Sequence, residues 1–280
     1  MCAFLLFKTY RTDTPNSFPF HGILVAPVTS RNSLISALLC LASVALSADG
    51  VTARGVQSTA TDPDVLYADR AHLVSAERAA AKWEERLTAG RDDFEASWKL
   101  ARVCYWLGKH VAPADRRKQY ERGVEAGKHA AAIDPQRPEG YFWMAANMGS
   151  LAESFGLRQG LRYRGPIKEA LETVLRLDPG FQQGSAFRAL GRWYFKVPRL
   201  FGGSNQKAIE HLQRSLTYNA DSTISHFFLA EVLVDMDRRA EALAELQKVR
   251  DAPFDPQWAP EDQEYKAKAQ DLLASLSLRR

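Results

Sequence analysis

The sequence predicts an all-α fold, a superhelix of about ten helices that pack as repeated pairs. From Asp62 onward, nearly every stretch has the spacing of apolar residues that is typical of amphipathic helices. We find no convincing run of alternating β-branched residues in this part of the chain. Turns marked by Asp134-Pro135, Asp178-Pro179 and Asn219-Ala220 follow at similar separations, which indicates a structural repeat.

Residues 1–47 have the features of a targeting segment. Arg31 precedes residues 33–47, a run that is apolar except for its serines and is too short to span a bilayer comfortably. The run ends with Ala45 and Ser47, small residues at the two positions that a signal peptidase inspects. We therefore expect a cleaved secretory signal and a secreted or periplasmic protein, with no transmembrane span after cleavage.

Other interpretations of this segment remain open. The stretch before Arg31 is long for the charged region of a signal, which favours a later start of translation, near Val25 or Val28. An organelle transit peptide, or an uncleaved signal that anchors the chain, is the alternative. A lipoprotein signal at Cys40 is disfavoured, because the bulky Leu39 stands where a small residue is needed.

The rest of the chain divides into a linker and one repeat domain. Residues 48–62 are small and polar, and we expect them to form a flexible linker to a repeat domain over residues 63–280. Cys104 is the only cysteine after the targeting segment, so an internal disulfide and a thiolate metal cluster are both excluded there. We expect Cys104 to be a small buried side chain on a helix.

Four helix pairs match the tetratricopeptide pattern, in which W-x2-L-G-x2-Y on one helix is followed by A-x3-F on the next. The third pair matches its first helix best, with Phe187, Leu190, Gly191 and Tyr194 in the motif positions. The four first-helix motifs begin at Trp98, Tyr141, Phe187 and His226, and the four second-helix motifs begin at Gly123, Ile167, Ala208 and Ala242.

The pattern has a packing explanation, and it leaves two flanking elements. Small residues let the two helices of a pair approach closely, and stacked pairs then bury the apolar faces that one pair alone would expose. Residues 65–87 are expected to form one or two helices ahead of the first repeat. Residues 261–276 are expected to form an amphipathic helix that caps the last repeat.

Two motifs carry a resemblance to known families. The Asp-Pro-Gly-Phe stop at 178–181 and the loop with Pro198, Gly202, Gly203 and Lys207 resemble the T component associated with TRAP transporters. That resemblance implies a periplasmic accessory that works beside the substrate-binding protein of an organic-acid uptake system. Over much the same span the repeat layout is also similar to the eukaryotic regulators of microtubule dynamics.

The stretch KVPRLFGGSNQKA, residues 196–208, raises the possibility of a phosphate-binding loop. Such a loop needs a glycine directly before the lysine and a Ser or Thr after it, whereas here Gly203 lies four residues before Lys207 and Ala208 follows. We therefore expect Gly202 and Gly203 to form a turn, with Ser204 capping the next helix. Free amides at that helix start give a secondary hypothesis, a contact with one carboxylate of a ligand.

The sequence gives no reason to expect catalysis. The six histidines are scattered, and neither H-E-x-x-H nor C-x-x-C occurs. No G-x-S-x-G or plausible Cys–His pair supplies a nucleophile. We therefore expect a protein that is not an enzyme and that uses neither a metal nor a cofactor.

Charged residues point to one kind of ligand. Outside the targeting segment, 34 basic residues stand against 32 acidic ones, a balance that gives no reason to propose nucleic acid or an anionic membrane as the main partner. The basic residues of the third repeat nevertheless form a row at i, i+4 and i+8 on the helix expected to face the concave groove. The basic candidates are Arg188, Arg192 and Lys196 in this row, and Arg158, Arg162 and Arg164 in an insertion of the second repeat.

These cations could grip carboxylates of an organic acid or of an acidic partner segment. Trp106, Phe142 and Phe195 are expected on the groove side, where an aromatic ring could hold the apolar part of a ligand. The alternatives are a solvated helix face with a polar loop for the cations, and core packing for most of the aromatic residues.

We therefore predict a helical-repeat binding protein, an adaptor or ligand-binding accessory of the TRAP-associated type. Its partner would be another protein, a small carboxylate or both, and the chain could oligomerise. A scaffold that binds a peptide or subunit during assembly of the cell envelope is the first alternative. A hydrolase or nucleotide-dependent enzyme is disfavoured, because no catalytic constellation is present.

Overall fold

A computed structural model of the chain describes residues 62–278. The predictions for the targeting segment, for its two cysteines and for nearly all of the linker lie outside these residues. Within them the chain forms eleven α-helices, a 3-10 turn at Arg199–Phe201 and no strand. The helices are α1 Pro63–Ala68, α2 Leu73–Ala89, α3 Phe94–His110, α4 Pro113–Ile133, α5 Pro138–Ser154, α6 Leu157–Leu177, α7 Phe181–Lys196, α8 Asn205–Leu216, α9 Thr223–Asp235, α10 Arg239–Asp251 and α11 Ala259–Leu278.

The helix pairs are the predicted repeats. The pairs α3/α4, α5/α6, α7/α8 and α9/α10 each pack helix against helix, and α1 and α2 occupy the predicted N-terminal flank as two helices. The first helices of successive pairs also contact one another, from α3 to α5, α5 to α7 and α7 to α9. They therefore form a continuous inner layer, which is the surface that positions the site. The all-α repeat prediction is confirmed.

Several helix starts are fixed by the capping residues that the sequence places there. Asp93 opens α3, and its Oδ1 accepts a hydrogen bond from the backbone N–H of Ala96 at 2.9 Å. Ser204 and Ser222 cap α8 and α9 in the same way. Proline at the first turn of α1, α4 and α5 lacks the N–H that would have no helical partner there.

Close approach between helices depends on small residues. A Cβ atom on Gly127 would lie 2.7 Å from the backbone nitrogen of Met144, so α4 and α5 touch backbone to backbone at this point. The fully buried Asn147 then ties α5 to α3, because its Nδ2 donates to the carbonyl of Ala101 at 2.9 Å. Cys104 is buried in the same core, and burial raises the pKa of its thiol to about 12.

The second repeat's insertion is helical. It forms the first turns of α6, where a polar loop was one alternative, and α6 thereby reaches 21 residues with Pro166 in its interior.

The third repeat begins irregularly. Gln182, Gln183 and Gly184 have φ values of 44°, 59° and 74°, a left-handed segment at the start of α7. Two non-glycine residues in this conformation store strain that their surroundings must offset.

The last helix caps the repeats. Tyr265, Ala269 and Leu276 of α11 are buried against residues of the fourth repeat such as Phe227 and Leu246. This is the predicted role of the C-terminal helix. In the part of the chain that the structure describes, no helix combines the length and the hydropathy needed to cross a membrane.

Candidate functional site

The inner layer lines a partly open cavity of about 350 Å³, within the size range of small-ligand sites. Its walls come from α3, α5, α7 and α9, the first helices of the repeats, with further residues from α4 and α6, and α11 covers one side. The groove is therefore covered by the chain's own last helix and its preceding loop.

The closing side is held by a buried ion pair. The Arg70 guanidinium donates to the Glu261 carboxylate from Nε at 3.0 Å and from Nη2 at 2.5 Å, and it also donates to the carbonyl of Gln257 at 2.8 Å. Both ionic side chains are less than a tenth exposed. Trp106 supports the arginine, because its indole N–H donates to the Arg70 carbonyl at 2.7 Å.

A second ionic contact lies one turn further along α11. The Glu264 carboxylate accepts from His110 Nε2 at 2.5 Å and lies 3.4 Å from Lys109 Nζ. Burial opposes the charge of Glu264, but His110 and Lys109 outweigh it and lower its pKa to about 2. Burial likewise opposes the charge of Lys109, yet Tyr105, Tyr265 and Glu264 raise its pKa. The end of α3 is thus fastened to α11 by charge.

The cavity wall is rich in cations. Among its lining residues the side chains of six are basic and those of only two, Glu153 and Glu261, are acidic. Glu261 forms an ion pair with Arg70, so its negative charge is largely compensated. The six basic side chains are Lys109, Arg164, Arg188, Arg192, Lys196 and Lys268.

Arg192 is neutralised inside the protein. Its Nε and Nη2 donate to Glu153 at 3.0 and 2.8 Å, and its Nη1 donates to Glu231. Burial opposes the charge, but the two carboxylates raise the pKa of Arg192 well above its usual value. Burial also opposes the charge of Glu153, and Arg192 outweighs it to lower the pKa of that carboxyl. Arg192 therefore joins the second, third and fourth repeats and is not a free binding group.

Arg188 is the opposite case. It is half-buried in the cavity wall, and within residues 62–278 no carboxylate pairs with it and no acceptor receives its N–H groups. Burial lowers its pKa, although Glu261 and Asp262 act in the other direction. Arg188 also lines a second cavity of about 390 Å³, which contains Gln182 and Gln183 of the left-handed segment.

Two lysines strengthen this positive region. Lys196 lies 3.9 Å from Glu231, at the limit of an ion pair, and burial followed by the charge of Arg192 lowers its pKa. Lys268 of α11 also lines the cavity, and its Nζ lies over the Tyr265 ring, 4.6 Å from the centroid. Burial, followed by the charge of Lys109, lowers the pKa of Lys268. A bound anion would relieve the repulsion among these cations.

Other residues of the wall are aromatic and aliphatic. Phe142 and Trp143 of α5 form an edge-to-face pair with centroids 5.0 Å apart, and Phe228, Trp258 and Tyr265 line the same cavity. Such a surface fits the apolar body of a ligand, while the cations fit a carboxylate. The arrangement can bind an anion with an apolar part.

The structure brings together some of the predicted site residues and separates others. Arg164, Arg188, Arg192, Lys196 and Phe142 line the cavity. Arg158 and Arg162 lie exposed on α6, outside it. Trp106 lies in the N-terminal core against Arg70, and Phe195 packs beside the cluster of the third and fourth repeats, so neither ring reaches the cavity.

The hypothesis of an anion contact at Gly202 and Gly203 is wrong, because their amides are already used. The N–H of Gly202 donates to Arg199, that of Gly203 to Pro198 and that of Ser204 to Tyr194, at 3.1, 3.2 and 2.8 Å. The turn itself is as expected, with Gly202 left-handed at φ 101° and Ser204 capping α8.

The sequence patterns did not identify the residues of α11 as part of the site. Lys268 and Tyr265 reach the cavity only because α11 folds back over the inner layer, which no local pattern indicates. The ion pairs of Arg192 did leave a signal, since Glu153 and Glu231 each lie 39 positions from it, close to the repeat period. Within the described residues no group of three or more His, Cys, Asp or Glu side chains could hold a metal ion.

Stacked helix pairs around a continuous inner layer define a tetratricopeptide-like repeat protein. A thermophilic TPR protein of Thermus thermophilus has this fold, with a TM-score of 0.59 and 24% identity over 78% of this chain and 98% of that one. MamA of Desulfovibrio magneticus is more distant, with a TM-score of 0.46 and 17% identity over 68% of this chain and 94% of MamA. The first likeness shows the fold alone.

The family model of regulator of microtubule dynamics proteins 1–3 matches residues 64–201. Regulator of microtubule dynamics protein 1 of Caenorhabditis elegans is 27% identical over 106 residues, which are 36% of this chain and 47% of that protein. The chain thus matches about half the length of this curated relative. These matches support the second resemblance inferred from the sequence, while the one to the TRAP-associated T component is not confirmed.

Proposed function

We propose that this protein is a non-enzymatic binding protein whose cavity takes up a carboxylate attached to an apolar or aromatic body. The observation that carries the proposal is Arg188. An arginine that is half-buried and without a carboxylate partner among the described residues is costly to maintain, and an anionic ligand would offset that cost.

The neighbouring arginine on the same helix differs from Arg188 in its partners. Arg192 lies one turn away on α7 and has two carboxylate partners, so the fold supplies counter-charges where it needs them. Arg188 has none within the described chain, and it faces a space large enough for a small molecule. Lys196 and Lys268 add positive charge at the same cavity.

The shape of the cavity favours a small ligand, or the end of a peptide, over a long helical partner. The last helix already covers the inner layer, and Tyr265 of that helix occupies space beside Phe227 and Phe228 with centroids 5.4 and 5.6 Å away. A scaffold that lays a long segment along the groove would have to displace α11. That alternative remains the second candidate for the protein's role.

The cellular setting is also a proposal. The apolar run at residues 33–47 and a cavity suited to carboxylates support a periplasmic accessory of a TRAP-type organic-acid uptake system. The match to regulators of microtubule dynamics supports a different setting, that of a protein-interaction adaptor. The matched residues 64–201 include α3, α5 and α7 with Arg188, whereas the cavity residues of α9 and α11 lie outside the match.

A ligand screen on the full chain tests the binding proposal. Thermal unfolding and calorimetry would be measured with small aromatic and aliphatic carboxylates, with the matching neutral amides, and with short acidic peptides. We expect saturable stabilisation by at least one carboxylate and none by its amide. Stabilisation by acidic peptides alone would favour the scaffold.

A matched pair of variants locates the site. Arg188→Met keeps much of the length of the side chain and removes the charge, and we expect affinity for the carboxylate to fall about tenfold or more. Arg91→Met, at an exposed position outside the cavity, is the control and should bind normally. Unchanged affinity in Arg188→Met, or the absence of any carboxylate that binds, would refute the proposal.

A further inference from the structure

Two insertions in the repeats meet at the outer surface, and of the insertion side chains named in this paragraph only Arg164 also lines the cavity. One is the first part of α6, where Leu157 and Leu161 are 41% and 43% exposed, and the other is the 3-10 turn, where Leu200 is 83% exposed. Neither insertion belongs to the repeat pattern. Together they form what we call the insertion surface, which consists of Leu157, Arg158, Leu161, Arg162, Arg164, Arg199 and Leu200.

One contact ties the α6 insertion to α7, and a second joins it to the 3-10 turn. The indole N–H of Trp193 in α7 donates to the carbonyl of Arg164 at 2.9 Å. The Arg164 guanidinium lies over the ring of Phe201, 5.3 Å from its centroid. Leu157, Leu161 and Arg164 follow at i, i+4 and i+7 along α6, so one helical stripe leads from the exposed leucines to the turn.

The insertion surface is strongly positive. Its four arginines are Arg158, Arg162, Arg164 and Arg199, and within residues 62–278 none of them forms an ion pair with a carboxylate. The sequence explains why, since residues 154–168 and residues 179–209 contain no Asp or Glu. Other unpaired cations occur in the described chain, but this surface differs in that its arginines come from two stretches without a single acidic residue.

We infer that the insertion surface docks the protein on a bilayer that contains anionic lipids. Arginines beside a membrane are attracted by anionic headgroups, and single exposed leucines between them can enter the headgroup boundary. The exposed leucines belong to two separate elements, α6 and the 3-10 turn. The near balance of charge over the whole chain conceals this local excess.

Vesicle binding by the full chain tests the inference. Co-sedimentation would be compared on vesicles of pure phosphatidylcholine and on vesicles that also contain phosphatidylserine. The apolar run at residues 33–47 can bind either kind, so the measured quantity is the extra binding to the anionic vesicles. We expect a clear excess that falls as salt is raised, because exposed charges are screened.

Charge-reversal variants assign that excess to the surface. In Arg158→Glu/Arg162→Glu/Arg199→Glu we expect the extra binding to fall about a hundredfold. The control carries the same change in charge at three exposed cations elsewhere, Arg91→Glu/Lys118→Glu/Lys128→Glu, and should keep most of it.

A third variant and a local probe complete the test. Leu157→Ser/Leu161→Ser/Leu200→Ser should weaken binding without changing its salt dependence, and hydrogen exchange should slow at residues 157–164 and 199–202 on anionic vesicles. Equal binding to both kinds of vesicle would overturn the inference. The inference would also be overturned if the control lost as much binding as the arginine variant, or if hydrogen exchange slowed in another part of the chain instead.

Discussion

Arg192 and Glu153 form a two-fold hydrogen-bonded ion pair, 3.0 and 2.8 Å long, between the inner helices of the third and second repeats. The pair places a neutralised arginine next to the unpaired Arg188 on the same helix. One inner helix thus carries one cation that stabilises the stack and one that is available to a ligand.

Removal of the Glu153 charge should tighten binding of an anion. In Glu153→Gln the cavity loses a negative charge while Arg192 keeps Glu231, so affinity for the carboxylate found in the screen should rise, on the order of fivefold. Calorimetry with that carboxylate and with its neutral amide measures the effect. An equal change for the amide would mean that shape, and not charge, had altered.

The buried pair of Arg70 and Glu261 should be costly to break from one side. Glu261→Gln leaves a buried guanidinium without its counter-charge, and we expect the free energy of unfolding to fall by about 3 kcal/mol. The double variant Arg70→Met/Glu261→Leu should recover part of the loss, because no charge stays buried. Urea unfolding of the three proteins gives these values, with Glu85→Gln in an exposed pair as the near-neutral control.

Acid should weaken the second contact between α3 and α11. The pKa of Glu264 is about 2 in the folded protein and about 4.5 in the unfolded chain. Its stabilisation is therefore complete above about pH 4.5 and is lost as the pH falls toward 2, a contribution on the order of 3 kcal/mol.

The measurement for this contact is a difference between two proteins. The stability of the parent minus that of Glu264→Gln should be largest near neutral pH and should shrink between pH 4.5 and pH 2. The same difference for Glu125→Gln, an exposed carboxylate without an ion pair among the described residues, is the control. A difference that stays constant over this range would contradict the role assigned to Glu264.

Two glycines on neighbouring helices should respond oppositely to alanine. Gly127→Ala places a Cβ against the backbone of Met144, and we expect a loss of about 2 kcal/mol because α4 and α5 must move apart. Gly149→Ala adds a methyl group where no atom lies within 4 Å, and we expect a gain of up to about 1 kcal/mol from helix propensity. Thermal and urea unfolding of both variants measure the contrast.

The repeat architecture was readable from the sequence because its signals are local. Leu190, Gly191 and Tyr194 lie within two turns of one helix, and the Asp-Pro stops lie next to the helices that they end. The caps at Asp93 and Ser204 act over three residues. Each of these features is set by neighbours in the chain, so composition and spacing were sufficient.

The candidate site was only half readable, because its chemistry depends on distant partners. The spacing of Arg188 and Arg192 placed both on one face, but it could not show that Arg192 alone has carboxylates within reach. The sequence predicts Trp106 on the groove side. In the structure its indole N–H donates to the carbonyl of Arg70, and the Trp106 ring lies in the core. A contact between residues 191 positions apart, such as that of Arg70 with Glu261, produces no periodic pattern in the sequence.

The contact of the N-terminal flank with the last helix has a mechanical consequence. An open stack of repeats behaves as a spring, which can be stretched and can unravel from either end one repeat at a time. Here a buried ion pair links the N-terminal flank to the last helix, so unravelling that starts at either of these elements must also break this contact.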